Sequence, residues 1–241
     1  MAKNAAIEKN KLLLKKNPYD YIEPERVNSF EVGYKGLFAK GRVLAEGDFY
    51  LSQYHALIAQ ANMNVPNTSI ADSIPYYLYE RTKQSAYRMW TNSQTIIENY
   101  GFSVALTGQL VKGYIARANT TYTKLHKSKD EDGLEDGFNT PDWVVNLSLS
   151  NANIHKSIGA AISYKWQNSF FWRSFVVSGP VPAFATLDAY ISYTFPEPHI
   201  KLKIGGNNLL NHYYYSILGG PQIGGLYYMA ITYNGNLPGK G

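Results

Sequence analysis

The chain has 241 residues and a formal net charge of +5, with 15% aromatic and 17% charged residues. Soluble domains usually carry about a quarter charged residues, so this composition favours a β-rich protein with an extensive aromatic surface. Cysteine is absent, which excludes disulfides and thiolate metal sites. The positive charge is spread along the sequence except in KNKLLLKKN near the start, so we expect no nucleic-acid partner.

The first segment of the chain lacks the features of a secretion signal or a membrane anchor. Its longest apolar run is Leu12–Leu14, far shorter than the roughly 7 to 15 apolar residues of a secretory signal. No run elsewhere approaches the ~18 apolar residues of a transmembrane helix, so a membrane-spanning structure would have to be a β-barrel. We therefore expect that, if the protein is exported, its signal peptide is absent from this chain.

Alternation of apolar and polar residues recurs along most of the chain and predicts about nine strands. In the segment 186–195, Leu187 and Ile191 share one face, whereas Asp188 and Ser192 share the other. No segment has the pattern of a long amphipathic helix. In chain order the predicted strands are 29–38, 42–54, 100–110, 114–125, 143–150, 157–167, 186–195, 200–210 and 225–234.

The connections between these strands alternate in length. Short turns, such as AKG at 39–41 and PEPH at 196–199, follow the odd-numbered strands, and much longer loops follow the even-numbered ones. Outer-membrane barrels have short periplasmic turns and longer external loops, and their apolar band is flanked by aromatic girdles. Rings such as Tyr122 and Trp143 lie near predicted strand ends, as such girdles require. A soluble β-sandwich also alternates and stays an alternative.

The pattern predicts an all-β fold: an antiparallel up-and-down meander of about nine strands, part of a larger transmembrane β-barrel. A complete bacterial barrel has an even number of strands, so nine indicate a part of one. We expect an N-terminal segment and loop at 1–28, barrel strands at 29–234 and a C-terminal extension at 235–241.

Three motifs resemble those of TonB-dependent outer-membrane receptors and appear in that family's order between Asn17 and Tyr233. The first, in NPYDYIEPERVNSFEVGYKGLF, consists of Asn17, Pro18, Pro24, Glu25, Ser29, Phe30, Glu31, Gly33, Tyr34 and Lys35. The second is the Leu-Asp pair of a late strand, here Leu187 and Asp188. The third, in GGNNLLNHYYY, consists of Asn208, Leu209, Asn211, Tyr214 and Tyr215.

The resemblance implies a barrel of about 22 strands with a plugged lumen. Such a receptor imports a scarce ligand, for example a siderophore, cobalamin or a glycan, with energy from the TonB complex. On this view the chain is the C-terminal barrel portion, located in the cell outer membrane and not functional alone. Its partners would be outer-membrane lipid, the missing barrel strands and plug, the TonB complex through the missing N-terminal part, and a small-molecule or glycan ligand.

The sequence shows no catalytic or cofactor constellation, so we predict a protein that is not an enzyme and needs no cofactor or metal. The acidic segment at 130–137 fits a solvated loop tip better than a calcium loop, because Glu135 stands where the sharp-turn glycine belongs. The loops are rich in aromatic and arginine side chains that could bind an anionic or aromatic ligand. The candidate ligand-binding residues are Tyr76, Tyr77, Tyr79, Arg81, Tyr87, Arg88, Trp90, Trp172 and Arg173.

Alternatives stay open for the candidate residues and for the chain as a whole. The candidate rings could instead pack the loops against each other and against the aromatic girdle. The chain could be a small autonomous outer-membrane barrel that acts as an adhesin or pore, or a soluble β-sandwich binding module.

Overall fold

A computed structural model describes residues 2–11, 21–127, 138–174, 176–195 and 200–233. The motif residues Asn17 and Pro18, the acidic segment 130–137, the predicted turn 196–199 and the C-terminal extension 235–241 lie outside the described residues. The chain divides into two compact units. The first comprises Met1–Asn28, Gln53–Glu98 and His126–Gly137, and the second comprises Ser29–Ser52, Asn99–Leu125 and Phe138–Gly241.

The described helices are short. They are α1 (Ala2–Lys11) and α2 (Ile74–Tyr79), with 3-10 turns at Ala71–Ser73, Arg81–Lys83 and Val111–Gly113. In the described part of the chain, no helix has both the length and the apolar character needed to cross a membrane.

Thirteen strands are described, and nine of them form one sheet. The strands are β1 (Arg26–Phe38), β2 (Val43–His55), β3 (Ile58–Pro66), β4 (Gln84–Asn92), β5 (Ile97–Gln109), β6 (Ile115–Lys127), β7 (Trp143–His155), β8 (Ile158–Gln167), β9 (Phe170–Trp172), β10 (Gly179–Val181), β11 (Phe184–Thr194), β12 (Ile200–Asn207) and β13 (Leu226–Tyr233). The large sheet has the order β1-β2-β5-β6-β7-β8-β11-β12-β13. The predicted meander is therefore confirmed, with β3–β4 and β9–β10 as separate two-stranded sheets.

The outward face of the meander is apolar and exposed. Across β11, β12 and β13, Ile191 pairs with Ile204, and Ile204 pairs with Met229. All three side chains are more than half exposed, with Ile191 at 55%. The next residue on β11, Ser192, points to the other face and is only 4% exposed. This order, with apolar side chains outside and polar ones inside, is the one that a barrel in a lipid bilayer requires.

Polar side chains on the inner face are joined by hydrogen bonds between strands. Tyr50 on β2 bonds Thr123 on β6 through their hydroxyl groups, at 2.5 Å, and so spans the intervening strand β5. Gly101 of β5 makes this possible, because a Cβ at that position would lie 2.8 Å from the Tyr50 hydroxyl. Thr123 Oγ1 also donates to Asn99 Oδ1 at 3.1 Å. These hydrogen bonds connect β2, β5 and β6 on the inner face.

Three outward rings cluster at one end of β5, β6 and β7. The ring of Tyr122 lies 4.8 Å from that of Trp143 and 5.7 Å from that of Phe102. Phe102 and Trp143 meet edge to face at 5.6 Å. Aromatic pairs in such geometries stabilise packing beyond their buried area. Aromatic side chains near strand ends are typical of the interfacial girdles of outer-membrane barrels.

Candidate functional site

The long connection between β2 and β5 contains the hairpin β3–β4, which the alternation pattern did not predict. Its cross-strand pairs include Gln60 with Trp90 and Asn62 with Arg88. Because strand side chains alternate, these four residues share one face. Asn62, Arg88 and Trp90 are exposed, with Trp90 at 55%. We call this surface the hairpin face and define it by Gln60, Asn62, Asn64, Ala86, Arg88 and Trp90.

The opposite face of the hairpin is closely packed at its base. Ala59 and Ala61 on β3 are buried, as is Thr91 on β4. Tyr87 also points to this side, but it lies farther along the strand and is exposed. The hairpin therefore separates two of the predicted ligand-binding residues, Tyr87 and Trp90, onto opposite faces.

Asn92 fixes the base of the hairpin. Its Nδ2 donates hydrogen bonds to the carbonyl oxygens of Ala56, at 2.6 Å, and Glu23, at 2.9 Å. Its Oδ1 accepts one from the Glu23 amide at 2.7 Å. Ser93 N donates to the Leu57 carbonyl at 2.7 Å and continues the pairing of β3 with β4 one step past Ile58 and Asn92. The partners of the Asn92 side chain are backbone atoms of Glu23 and Ala56. Asn92 therefore ties the base of the hairpin face to the main chain.

Two predicted ligand-binding tyrosines take part in packing inside the connection. Lys83 Nζ donates a hydrogen bond to the Tyr76 hydroxyl at 3.0 Å and lies 4.2 Å from the centre of that ring. The same ammonium lies 5.3 Å from the ring of Tyr77, which meets Tyr76 edge to face at 6.0 Å. Both rings are half-buried. Their contacts fit the alternative in which aromatic residues hold the loop together, while Tyr79 and Arg81 are exposed.

Trp172 and Arg173 belong to the second unit. Trp172 ends β9 opposite Gly179 of β10, and its indole Nε1 is buried and has no hydrogen-bond partner among the described residues. The Arg173 guanidinium lies 5.5 Å from the centre of the Phe171 ring. The backbone of Arg173 exchanges two hydrogen bonds with the Asn139 side chain, at 2.7 and 2.9 Å. The role of both residues in ligand binding stays a prediction.

Sequence reasoning missed the amide row of the hairpin face. Gln60, Asn62 and Asn64 follow one another at every second position of IAQANMNVP, which is a signal for a strand with one polar face. That signal is weak, because the alternating partners Ala59 and Ala61 are only slightly hydrophobic and asparagine is depleted in strands.

Two of the motifs singled out in the sequence meet in space. The Asn208 amide donates to Asp188 Oδ1 at 2.7 Å, and the Leu209 amide donates to the Leu187 carbonyl at 2.8 Å. Asn208 has a φ of 50°, a left-handed conformation that asparagine tolerates better than most residues. The Leu-Asp pair of β11 thus receives the turn that leaves β12, and the two motifs form one structural element.

The second asparagine of the turn holds the start of the last strand. Asn211 Oδ1 accepts a hydrogen bond from the Gly225 amide at 2.7 Å, just before β13 begins. Asn208 Nδ2 donates to the His212 carbonyl at 2.8 Å. These contacts close the connection from β12 to β13 and assign a structural role to the motif.

In the described residues, no group of three or more His, Asp or Glu side chains is placed to hold a metal ion. The acidic segment 130–137 lies outside those residues, so its interpretation as a solvated loop tip stays a prediction.

The fold and its faces define a class of protein: an antiparallel meander of the kind found in barrels of the outer membrane. The sequence matches the family described as "TonB dependent receptor-like, beta-barrel" over residues 14–209. The chain belongs to this family, and the resemblance seen in its three motifs is confirmed. Its members are outer-membrane receptors and transporters.

Solved structures of receptors show the same fold. The FrpB iron transporter from Neisseria meningitidis (F3-3 variant) matches with a TM-score of 0.61 and 14% identity over 89% of this chain and 31% of its own. The copper transporter OprC matches with a TM-score of 0.64 and 13% identity over 89% of this chain and 32% of its own. The ferric-catecholate import receptor Fiu from K12 E. coli matches with a TM-score of 0.61 and 12% identity over 88% of this chain and 28% of its own.

The chain thus spans about a third of the length of these solved receptors, 31% in the case of FrpB. A search of curated protein sequences finds no match.

Proposed function

We propose that this chain is the C-terminal barrel portion of a TonB-dependent receptor that imports a scarce ligand, such as a siderophore, cobalamin or a glycan. The observation that carries the proposal is the arrangement of the meander, with apolar side chains exposed outside and polar ones enclosed inside, in a chain of this family. In the proposed assignment, residues 29–234 supply barrel strands, 1–28 lead into them and 235–241 extend beyond them.

The two edge strands of the meander support the proposal that further strands complete the barrel. β1 and β13 are the two ends of the nine-stranded sheet. An edge strand presents unpaired N–H and C=O groups, and each unsatisfied group costs several kcal/mol in hydrocarbon. We infer that both edges pair with other strands of the receptor, and that the chain alone transports nothing.

The other proposed partners follow from the same assignment. Outer-membrane lipid covers the apolar face, a plug fills the lumen, and the TonB complex acts through the N-terminal part of the receptor. No enzymatic activity is proposed, since the family consists of receptors and transporters.

The proposed ligand contacts lie in the connection from Ala61 to Trp90, on the outer side of the membrane. Two observations support this: the connection is long, and it presents exposed aromatic and arginine side chains on an ordered hairpin. Binding residues commonly lie on loops positioned by a rigid scaffold. The iron and copper cargo of FrpB and OprC makes metal complexes one class of ligand to test.

Uptake by cells that carry the complete receptor tests this function. The probes are radiolabelled iron(III) chelates, copper, cobalamin and labelled oligosaccharides, each supplied to cells with and without a working TonB protein. We expect one probe to accumulate only when receptor and TonB are both present. Shortening the connection between Ala61 and Trp90 should lower this uptake while the receptor keeps its heat-modifiable band on gels. A receptor recovered in the soluble fraction, or uptake that is independent of TonB, would contradict the proposal.

A further inference from the structure

We propose that the short turns of the meander, together with a groove on its apolar face, bind an anionic phospholipid. The headgroup contacts lysines of the turns, and one acyl chain lies in the groove. This inference rests on the proposed function, because it takes the apolar face to meet lipid and the short turns to face the periplasm. All residues that carry it belong to the second compact unit.

Lysine occupies the same place in three turns at one end of the sheet. Lys40, Lys112 and Lys156 lie in the turns β1–β2, β5–β6 and β7–β8, and their φ angles are 59°, 57° and 36°. This left-handed conformation favours glycine and asparagine. The turn geometry therefore gives no reason for lysine, and its recurrence indicates that the side chain itself is used. We call these three residues the lysine rim.

The lysine rim is positively charged. No acidic residue occurs in the turn segments 39–42, 110–114 and 152–157, and the first of them also contains Arg42. The three lysines are exposed, and none of them forms a salt bridge with another residue that the structure describes. Lysines at a membrane surface attract anionic lipid headgroups. The rim therefore suits a phosphate group that carries a net negative charge.

Hydrogen bonds hold neighbouring turns in place. The Gln109 amide, at the end of β5, donates to the Arg42 carbonyl of the first turn at 2.7 Å. The Asn151 side chain on β7 donates through Nδ2 to the Lys112 carbonyl of the second turn at 2.9 Å. A backbone that is already ordered loses little conformational entropy when a ligand binds.

The groove on the apolar face has a volume of 520 Å³. Its floor contains Ala116 and Ala118 of β6, which pair with Leu149 and Leu147 of β7. Leu106 of β5 lines the groove as well. The small alanines thus leave a depression between larger side chains. An acyl chain that fills this depression gains dispersion contacts with its walls.

The groove lies within reach of the lysine rim. Ala116 follows Lys112 by four residues, so their Cα atoms are at most about 14 Å apart. One leaflet of the hydrocarbon core is about 15 Å thick, so a single lipid spans this distance. A soluble phosphate would use the rim alone, and an uncharged lipid would use the groove alone. An anionic phospholipid uses both.

The test is native mass spectrometry of the complete receptor in detergent, titrated with phosphatidylglycerol and with phosphatidylcholine of identical acyl chains. We expect the receptor to prefer phosphatidylglycerol. The double variant Lys40→Asn/Lys112→Asn should weaken binding of phosphatidylglycerol about 25-fold, or about 5-fold for each lysine. Adding Lys156→Asn should weaken it about 5-fold further. Asparagine is chosen because it tolerates the left-handed conformation of these turns.

A matched control removes two positive charges from the inner face. Lys165 pairs with Thr186, and Lys203 pairs with Ser192, and both partners are buried on that face. Lys165→Gln/Lys203→Gln should leave the affinity for phosphatidylglycerol within about two-fold, because lipid does not reach these positions. Ala118→Phe fills the groove and should weaken binding about 3-fold or more through lost dispersion contacts.

Several outcomes would overturn the inference and leave the proposed function standing, because TonB-dependent uptake is measured separately. They are equal affinity for the two lipids, equal losses in the rim and inner-face double variants, and unchanged affinity in Ala118→Phe. Glycerol 1-phosphate, which has no acyl chains, distinguishes a lipid from a soluble phosphate. Binding of this probe as tightly as phosphatidylglycerol would also overturn the inference. A receptor that fails to enter the membrane would contradict the proposed function and the inference together.

Discussion

Side chains alternate between two faces in both the nine-stranded meander and the β3–β4 hairpin. The apolar side chains are exposed in the meander, whereas they are buried in the hairpin. In the meander, Ile191 and Ile204 are exposed while Ser192 is buried. In the hairpin, Ala59 and Ala61 are buried while Asn62 and other polar residues are exposed. The difference shows that period-two patterning alone fixes which residues share a face, whereas the surrounding solvent decides which face points outward.

The assignment of the two regions to different solvents can therefore be tested by making the same substitution in each. The same chemical change should have different effects on the free energy of unfolding in the meander, which we assign to lipid, and in the connection, which we assign to water. Matched pairs of substitutions at similar exposure isolate the solvent as the variable.

The largest effect is expected from an isoleucine-to-arginine pair. Ile191 in the meander is 55% exposed and Ile70 in the connection is 64% exposed. Ile191→Arg should cost about 2–4 kcal/mol near the midplane, because a charge on the lipid face of a barrel is poorly solvated. Ile70→Arg should change stability by no more than about 0.5 kcal/mol, as is usual for surface substitutions. Urea titrations of the receptor folded in lipid vesicles measure both values.

Equal costs at Ile191 and Ile70 would show that both regions meet the same solvent and would break the comparison. Ser192 is a poor control for this experiment although it points inward, because it is 4% exposed and its Oγ would lie 3.0 Å from a Cβ at Gly159. An arginine there would be excluded by packing as well as by charge.

A smaller effect is expected from a pair of carboxylates that accept backbone amides. Asp188 Oδ1 accepts from the Asn208 amide at 2.7 Å in a partly buried setting, whereas Glu25 Oε2 accepts from the Ile58 amide at 3.4 Å in an exposed one. Asp188→Ala should cost about 1–3 kcal/mol, since it leaves an enclosed N–H without a partner. Glu25→Ala should cost well under about 1 kcal/mol, because water replaces the carboxylate.

The same urea titrations measure these two variants, and Asp188→Asn serves as a control because it retains an acceptor oxygen. A loss at Asp188→Asn as large as that at Asp188→Ala would indicate that charge, rather than the hydrogen bond to Asn208, stabilises the turn. A negligible loss in both would contradict the structural role assigned to the motif.

Much of the fold was predictable because the meander strands alternate apolar and polar residues over most of their length. Segments such as 186–195 alternate without interruption, so their apolar faces and the lengths of their connections predicted the sheet order. The motif residues around Asp188 and Asn208 were also recognisable, although their contact across 20 positions of sequence was not.

The hairpins and the candidate site were less predictable for physical reasons. β3 buries only small alanines, and β9 and β10 have three residues each, too few to show a period. Side-chain contacts such as Lys83 with Tyr76 depend on the path of the connection, which composition does not encode. The assignment of Trp90 and Arg88 to one face, and of Tyr87 to the other, required the register of β3 with β4.

The most direct test of the central claim is accessibility along β11 by spin labelling. This chain has no cysteine, and any cysteine elsewhere in the complete receptor is replaced by serine, so that a single introduced cysteine carries the only label. Labels are placed at each position from Thr186 to Thr194 in the receptor folded in lipid vesicles, and collisions are measured with oxygen, which dissolves in lipid, and with a water-soluble nickel chelate. We predict high oxygen accessibility at Leu187, Ala189, Ile191 and Tyr193 and low values at the residues between them. High accessibility to the nickel chelate at Ala189 and Ile191, or no alternation along the strand, would contradict the assignment of this face to lipid.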